Sequence, residues 1–77
     1  MKLLLVVYYG WYSMPVIIRA SDEIKDLEDE ILEILKEGSA EEHFYKILEL
    51  LRKKYENVKG EGGFLPDNSF SIEFYLE

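Results

Sequence analysis

An uncharged apolar run near the start of the chain, from Leu3 to Tyr9, constrains the fold most. Its leucines, valines and tyrosines are apolar at both odd and even positions, which is typical of a strand buried on both faces. At the edge of a sheet such a strand would be a template for aggregation, so we place it in the centre. The run is too short to span a bilayer and lacks the cleavage pattern of a signal peptide. We therefore expect a soluble, cytoplasmic protein.

Two strands are predicted before the helices. Residues 2–12 and 16–20 have strand composition and flank a break around Pro15, which indicates a hairpin. Gly10 is either a bulge within a long first strand or the start of a wider loop, and the bulge is slightly favoured.

Two further strands are predicted at the end of the chain. Apolar and polar residues alternate strictly from Phe70 to Glu77, the period of a half-buried strand. Residues 58–65 have weaker strand character because glycines interrupt them, so we expect an edge strand there. Pro66, Asp67 and Asn68 predict the turn between the two strands.

The middle of the chain predicts two helices. Ser21 stands where an N-cap belongs, and an apolar stripe at spacings of three and four runs to Gly38, so helix 1 is placed at residues 22–37. Ser39 and Glu42 form a capping box directly after that glycine. Helix 2 should therefore begin there and end near Asn57.

The order β-β-α-α-β-β predicts a single domain over residues 1–77, an α+β two-layer sandwich. Both helices would cover one face of an antiparallel four-stranded sheet of order 2-1-4-3. On strict alternation, the helix-facing side chains are Leu3, Leu5, Val7, Phe70, Ile72 and Phe74. The outward-facing side chains are Leu4, Val6, Tyr8, Ile17 and Tyr75.

The uncovered sheet face and the first loop form the predicted binding surface. No element remains to cover the outward side chains, and the first loop is rich in aromatic residues and methionine, as binding surfaces are. An ordinary open sheet face is the competing interpretation. The residues assigned to the surface are Tyr8, Trp11, Tyr12, Met14 and Tyr75. Its occupant would be a protein partner, a ligand or a second copy of the chain.

Charge and motif content argue against several function classes. A net charge of −7 disfavours direct binding to nucleic acid or to anionic membranes. The chain has no cysteine and no metal-binding motif, so no metal or cofactor is expected. His43 is the only histidine, and its neighbour Glu42 points elsewhere on a helix, so we expect a surface or boundary histidine and no enzyme.

The helical hairpin, residues 21–57, resembles those of computationally designed α/β mini-proteins in its serine caps, its Gly38–Ser39 junction and its richness in Glu, Lys, Leu and Ile. The segments "YYGWYSMP" and "GEGGFLPDNSF" depart from that pattern. They would represent a built-in binding site, a sheet deliberately curved by bulges, or a natural origin. The resemblance implies a designed scaffold without catalytic activity.

A second function remains open beside the scaffold. Helix 1 is strongly acidic and would imitate a row of phosphates for a basic target. A natural inhibitor of phage or viral type would use such a helix to occupy a nucleic-acid-binding groove. The acids concerned are Asp22, Glu23, Asp26, Glu28, Asp29, Glu30, Glu33 and Glu37.

Overall fold

The computed structural model describes residues 1–77 and contains four strands and two α-helices. The elements in chain order are β1 (Lys2–Tyr9), β2 (Pro15–Ala20), α1 (Glu28–Leu35), α2 (Ala40–Lys54), β3 (Val58–Phe64) and β4 (Phe70–Leu76). Two 3₁₀ segments complete the fold, Trp11–Ser13 between β1 and β2 and Asp22–Leu27 before α1. Neither helix has the length and the unbroken apolar stretch that crossing a bilayer requires.

The strands form one antiparallel sheet of order β2-β1-β4-β3, which confirms the predicted architecture. β1 lies in the centre because its uncharged side chains lose most by remaining in water. Side chains of both helices, such as Ile31 of α1 and Ile47 of α2, join the inner residues of the sheet in one apolar core. The glycine-rich β3 takes an edge position, also as predicted.

A β-bulge decides which side chains of β1 reach the core. β1 pairs with β4 at Leu3–Tyr75 and next at Leu5–Phe74, so Leu4 is an extra residue. Both Leu4 and Leu5 are fully buried in the core cluster. The prediction that Leu4 faces outward and Leu3 faces the helices is therefore wrong, because strict alternation fails across a bulge.

A second bulge lies in β2, where Ile18 is the extra residue opposite β1. It places Ile17 opposite Val7, on the helix side, where Ile17 packs against the core. The prediction of an outward-facing Ile17 is wrong for the same reason. The favoured bulge at Gly10 is also wrong, since β1 ends at Tyr9 and a 3₁₀ turn follows.

The outer face of the sheet is not a continuous apolar strip. Val6, Tyr8 and Tyr75 are half-buried there, but Val6 pairs with Glu73 on one side and with Arg19 on the other. The Tyr75 hydroxyl donates to the Glu73 carboxylate, which raises the pKa of Tyr75. Charged side chains thus divide the predicted strip into separate patches.

The first helix begins later than predicted. Residues Asp22–Leu27 form a 3₁₀ segment that departs from helical geometry at Ile24 (φ −111°, ψ 15°). The Ser21 hydroxyl makes no capping bond, and the Ser21 N–H donates to the carbonyl of Leu4 at 2.8 Å. That bond ties the chain to the bulge of β1, and a regular α-helix starts only at Glu28, after the irregular turn at Ile24.

The junction between the helices follows the prediction. Gly38 has the left-handed φ of 94°, and the Ser39 hydroxyl accepts the Glu42 N–H at 3.2 Å. The end of α2 differs slightly from the predicted Asn57. It ends at Lys54 because Tyr55 is extended (φ −131°, ψ 135°) and leads directly into β3.

Candidate functional site

Two chain reversals meet at one end of the sheet and enclose a cleft. β1 and β4 are antiparallel neighbours that pair Tyr8 with Ser71, so the connection after β1 lies beside the turn before β4. The cleft between them has a volume of about 330 Å³. Its lining residues are Tyr8, Gly10, Trp11, Tyr12, Ser13, Asp67, Asn68 and Ser69. We call this concavity the loop-end cleft.

The β1–β2 connection displays two aromatic rings on a strained backbone. Tyr12 and Ser13 have φ of 61° and 56°, in the left-handed region that residues other than glycine seldom adopt. The Ser13 N–H donates to the Gly10 carbonyl at 3.1 Å and helps to hold this turn closed. Trp11 and Tyr12 are 86% and 89% exposed, with ring centroids 6.0 Å apart. The left-handed backbone thus lies at one of the two exposed aromatic residues, Tyr12, and at the neighbouring Ser13.

The opposite side of the cleft carries a well-bonded carboxylate, Asp67. Its Oδ1 accepts from the Ser69 hydroxyl and from the Ser69 N–H, the latter at 3.1 Å, and closes the turn. Its Oδ2 accepts from the Tyr8 hydroxyl at 3.1 Å. The two hydrogen bonds from Ser69, and to a smaller extent the one from Tyr8, lower the pKa of Asp67. Its carboxylate is therefore ionised at neutral pH.

The structure brings together three of the five residues predicted for the binding surface. Tyr8, Trp11 and Tyr12 line the loop-end cleft. Met14 is exposed just beyond the 3₁₀ turn and does not line the cleft. Tyr75 pairs with Leu3, four residues along β4 from Ser71, and so lies roughly 14 Å away at the other end of the sheet. Tyr75 therefore does not line the loop-end cleft.

Sequence reasoning missed the polar side of the cleft. Asp67, Asn68 and Ser69 were interpreted only as a turn and its flank, although the predicted strand order already places that turn beside Tyr8. Ser13 lies in the break between the first two predicted strands and was given no role in binding. The signal that was available is the combination of the antiparallel β1–β4 pairing with a carboxylate in the adjoining turn.

His43 is buried, which corrects its prediction as a surface or boundary residue. It is 3% exposed and bridges two elements. Its Nε2 lies 2.7 Å from the Glu37 carbonyl oxygen, which only accepts, so Nε2 carries the proton. Its Nδ1 then accepts from the Tyr9 hydroxyl at 2.9 Å. The ring is enclosed within the core and does not line the loop-end cleft.

The acidic face of the first helical region is partly neutralised. Asp22, Glu23, Asp26 and Glu33 pair with lysines, two of which, Lys2 and Lys54, come from other elements. The Lys54 bond lowers the pKa of Asp26. No group of three or more carboxylates or histidines is arranged to hold a metal ion.

Neither a protein-family model, nor a curated protein, nor a solved structure matches this chain.

Proposed function

We propose that the chain is a binding module without catalytic activity and that its loop-end cleft takes a lysine or arginine side chain of a protein partner. The observation that carries the proposal is the placement of two exposed rings, Trp11 and Tyr12, across a cleft from the ionised Asp67. Aromatic faces and a carboxylate both attract a cation. Each cation–ring contact contributes about 0.5–1 kcal/mol at an exposed site.

Several features favour a protein over a free small molecule as the partner. The loop-end cleft is open to solvent, so it encloses only part of a ligand. Tryptophan and tyrosine are the residue types that most often dominate the binding energy at protein interfaces. The net charge of −7 attracts basic surfaces over a longer range.

The rest of the fold acts as a rigid support under this proposal. The Tyr8–Asp67 hydrogen bond connects the β1 side of the cleft to the β3–β4 turn. The left-handed backbone at Tyr12 and Ser13 and the hydrogen bond from Ser13 N–H to the Gly10 carbonyl shape the turn that carries the rings, which reduces the backbone entropy lost on binding. The helical hairpin covers the other side of the sheet and serves as the scaffold that its resemblance to designed mini-proteins implies.

The experiment uses Trp11, the single tryptophan, as a fluorescent reporter. The protein is titrated with N-acetyl-arginine amide, with N-acetyl-lysine amide and with the neutral N-acetyl-norleucine amide. We expect a saturable change in Trp11 emission with the two cationic compounds and none with the neutral one. The response should weaken as salt is added, because the cleft is exposed.

Two pairs of variants provide the controls. Tyr12→Ala and Asp67→Asn should each weaken binding severalfold, whereas Tyr45→Ala and Asp29→Asn, exposed residues elsewhere, should leave it unchanged. An equal response to norleucine amide would contradict the proposal. Equal weakening by Asp29→Asn would also contradict it, since general charge attraction would then explain the binding.

Inhibition of a basic nucleic-acid-binding protein by the acidic helix is the second candidate. It is supported by four exposed carboxylates without an ion pair, Glu28, Asp29, Glu30 and Glu37. Replacing Asp26, Asp29 and Glu33 by lysine should abolish capture of nuclease-type targets if this candidate holds. Unchanged capture by that variant would remove it.

A further inference from the structure

The free edge of β3 offers unpaired backbone groups at alternate residues. Two backbone hydrogen bonds flank the β3–β4 ladder and continue its register. At one end the Leu65 N–H donates to the Ser69 carbonyl, and at the other the Glu77 N–H donates to the Asn57 carbonyl. Odd-numbered residues of β3 therefore direct their N–H and C=O towards β4. Even-numbered residues direct theirs to the free edge: Val58, Gly60, Gly62 and Phe64.

Only one end of this edge is blocked. Arg52 of α2 donates to the Val58 carbonyl, with its Nη2 at 3.1 Å, and so covers the first residue of the strand. From Gly60 to Phe64 the pairing of β3 with β4 is regular. The other edge of the sheet, β2, begins at Pro15 and is interrupted by the bulge at Ile18, both of which discourage further pairing.

A groove lies beside the open part of the β3 edge, between the strand and the first turns of α2. Its volume is about 310 Å³. Its apolar lining comes chiefly from the rings of Phe44, Tyr45, Phe64 and Phe70. Phe64 is 88% exposed, and Phe44 packs on Tyr45 edge to face with centroids 5.3 Å apart. We call this concavity the edge groove.

The glycines of β3 play different parts around the edge groove. A Cβ at Gly60 would come within 2.6 Å of the Phe44 ring, so glycine is required there by packing. A Cβ at Gly62 would meet its nearest neighbour, Ile72, at 3.7 Å, an ordinary contact distance. Glycine at position 62 is thus not required by packing, and its effect is to leave the edge groove open.

The charges around the edge are acidic on both sides of the sheet. Glu41 lines the edge groove on the helix side. Glu61 lies on the outer side, paired with Glu73 of β4. Lys59 forms an ion pair with Glu61 at 3.2 Å, whereas Glu73 and Glu41 have no ion pair. A second copy would bring another net charge of −7 to this edge, whereas a basic segment complements it.

We propose that the β3 edge from Gly60 to Phe64 accepts an extended segment of a partner protein in which apolar and basic residues alternate. Backbone groups of that segment pair with Gly60, Gly62 and Phe64, as in other cases of strand addition. Its apolar side chains enter the edge groove above Gly62, because alternate side chains of a strand share a face. Its basic side chains lie on the outer side, opposite Glu61.

The proposal makes a specific prediction for hydrogen exchange. The probe is an acetylated, amidated seven-residue peptide that alternates lysine with valine and phenylalanine. At a peptide concentration of ten times Kd, exchange of the Gly60, Gly62 and Phe64 amides should slow by roughly tenfold. The reason is that these amides exchange with solvent only in the fraction of protein to which no peptide is bound. The amides of Glu61 and Gly63, already bonded to β4, should change far less. A matched peptide with glutamate in place of lysine should have no effect.

A pair of glycine variants separates the edge groove from general attraction. Gly62→Val fills the groove and should reduce the peptide affinity at least tenfold. Gly63→Val adds the same side chain to the same strand, but its Cβ would meet no atom within 4 Å, so this variant should lower the affinity far less than Gly62→Val does. Far-UV circular dichroism and thermal melting establish that both variants are folded.

The remaining outcomes overturn the proposal. Peptide binding without protection of the even-numbered amides would locate the peptide elsewhere on the acidic surface. Equal affinities of Gly62→Val and Gly63→Val would exclude the edge groove. Protection of the same amides by raising the protein concentration alone, with a doubled mass in sedimentation, would identify the occupant as a second copy.

Discussion

The Tyr9 hydroxyl lies 2.9 Å from His43 Nδ1 inside the core and joins the central strand to the longer helix. The Tyr9 ring also stacks on Phe70, with centroids 4.3 Å apart, so the hydroxyl has a fixed direction. Since the Glu37 carbonyl holds the proton on Nε2, Nδ1 is left as the acceptor for Tyr9. The only histidine is therefore a structural bridge between the two layers.

The burial of Tyr9 predicts a loss of stability at high pH. Burial raises the pKa of Tyr9 from 10.0 to about 12. Because the pKa in the folded protein lies above the unfolded value, the stabilisation is complete below pH 10 and is lost as the pH rises through 12. The free energy of unfolding should fall by roughly 2–3 kcal/mol over that range. Urea unfolding at a series of pH values measures it.

Tyr9→Phe is the control for the alkaline transition. At pH 7 the variant should be less stable by about 1–3 kcal/mol, because the buried Nδ1 of His43 loses its donor. Between pH 10 and pH 12, however, its stability should decline less steeply than that of the wild type. Parallel pH profiles of the two proteins would show that another group is responsible.

The glycines of β3 predict opposite effects of one substitution. Gly60→Ala should destabilise the protein by about 1–3 kcal/mol, because the added Cβ forces the Phe44 ring out of its place over the strand. Gly63→Ala, with open space around it, should be neutral or stabilise by up to about 1 kcal/mol. Thermal melting of both variants measures the difference. A Gly60→Ala protein as stable as Gly63→Ala would mean that Phe44 does not pack as described.

The left-handed turn predicts that Ser13→Gly stabilises the fold. At a φ of 56°, removal of the Cβ relieves strain of about 1–2 kcal/mol, which exceeds the entropic cost of glycine. Ser13→Val should instead destabilise by about 1–2 kcal/mol, since a branched side chain tolerates this backbone poorly. Chemical denaturation of both variants measures the effect. A less stable Ser13→Gly protein would contradict the turn geometry.

The strand order was predictable because it depends on burial summed over whole segments. The uncharged run Leu3–Tyr9 of β1 has to be central, and a strand diluted by glycines tolerates the edge. The junction at Gly38 and Ser39 was predictable because it depends on local backbone requirements alone.

The face of the sheet on which an individual side chain lies was less predictable than the strand order. Three consecutive leucines from Leu3 to Leu5 carry no periodicity that would locate a bulge, so alternation gave the wrong side for Leu4. The burial of His43 depends on its contacts with Tyr9, 34 residues earlier in β1, and with the carbonyl of Glu37 in the turn before α2. The loop-end cleft combines two turns more than 50 residues apart, and only the β1–β4 pairing brings Asp67 to Tyr8.

The central claim is that the aromatic and acidic sides of the loop-end cleft bind one cation together. A double-mutant cycle with Tyr12→Ala and Asp67→Asn measures this directly through the affinity for N-acetyl-arginine amide, read from Trp11 fluorescence. We predict a coupling energy of about 0.5 kcal/mol or more between the two positions, because each contacts the same guanidinium group. Strictly additive losses, or no loss in either variant, would contradict the claim.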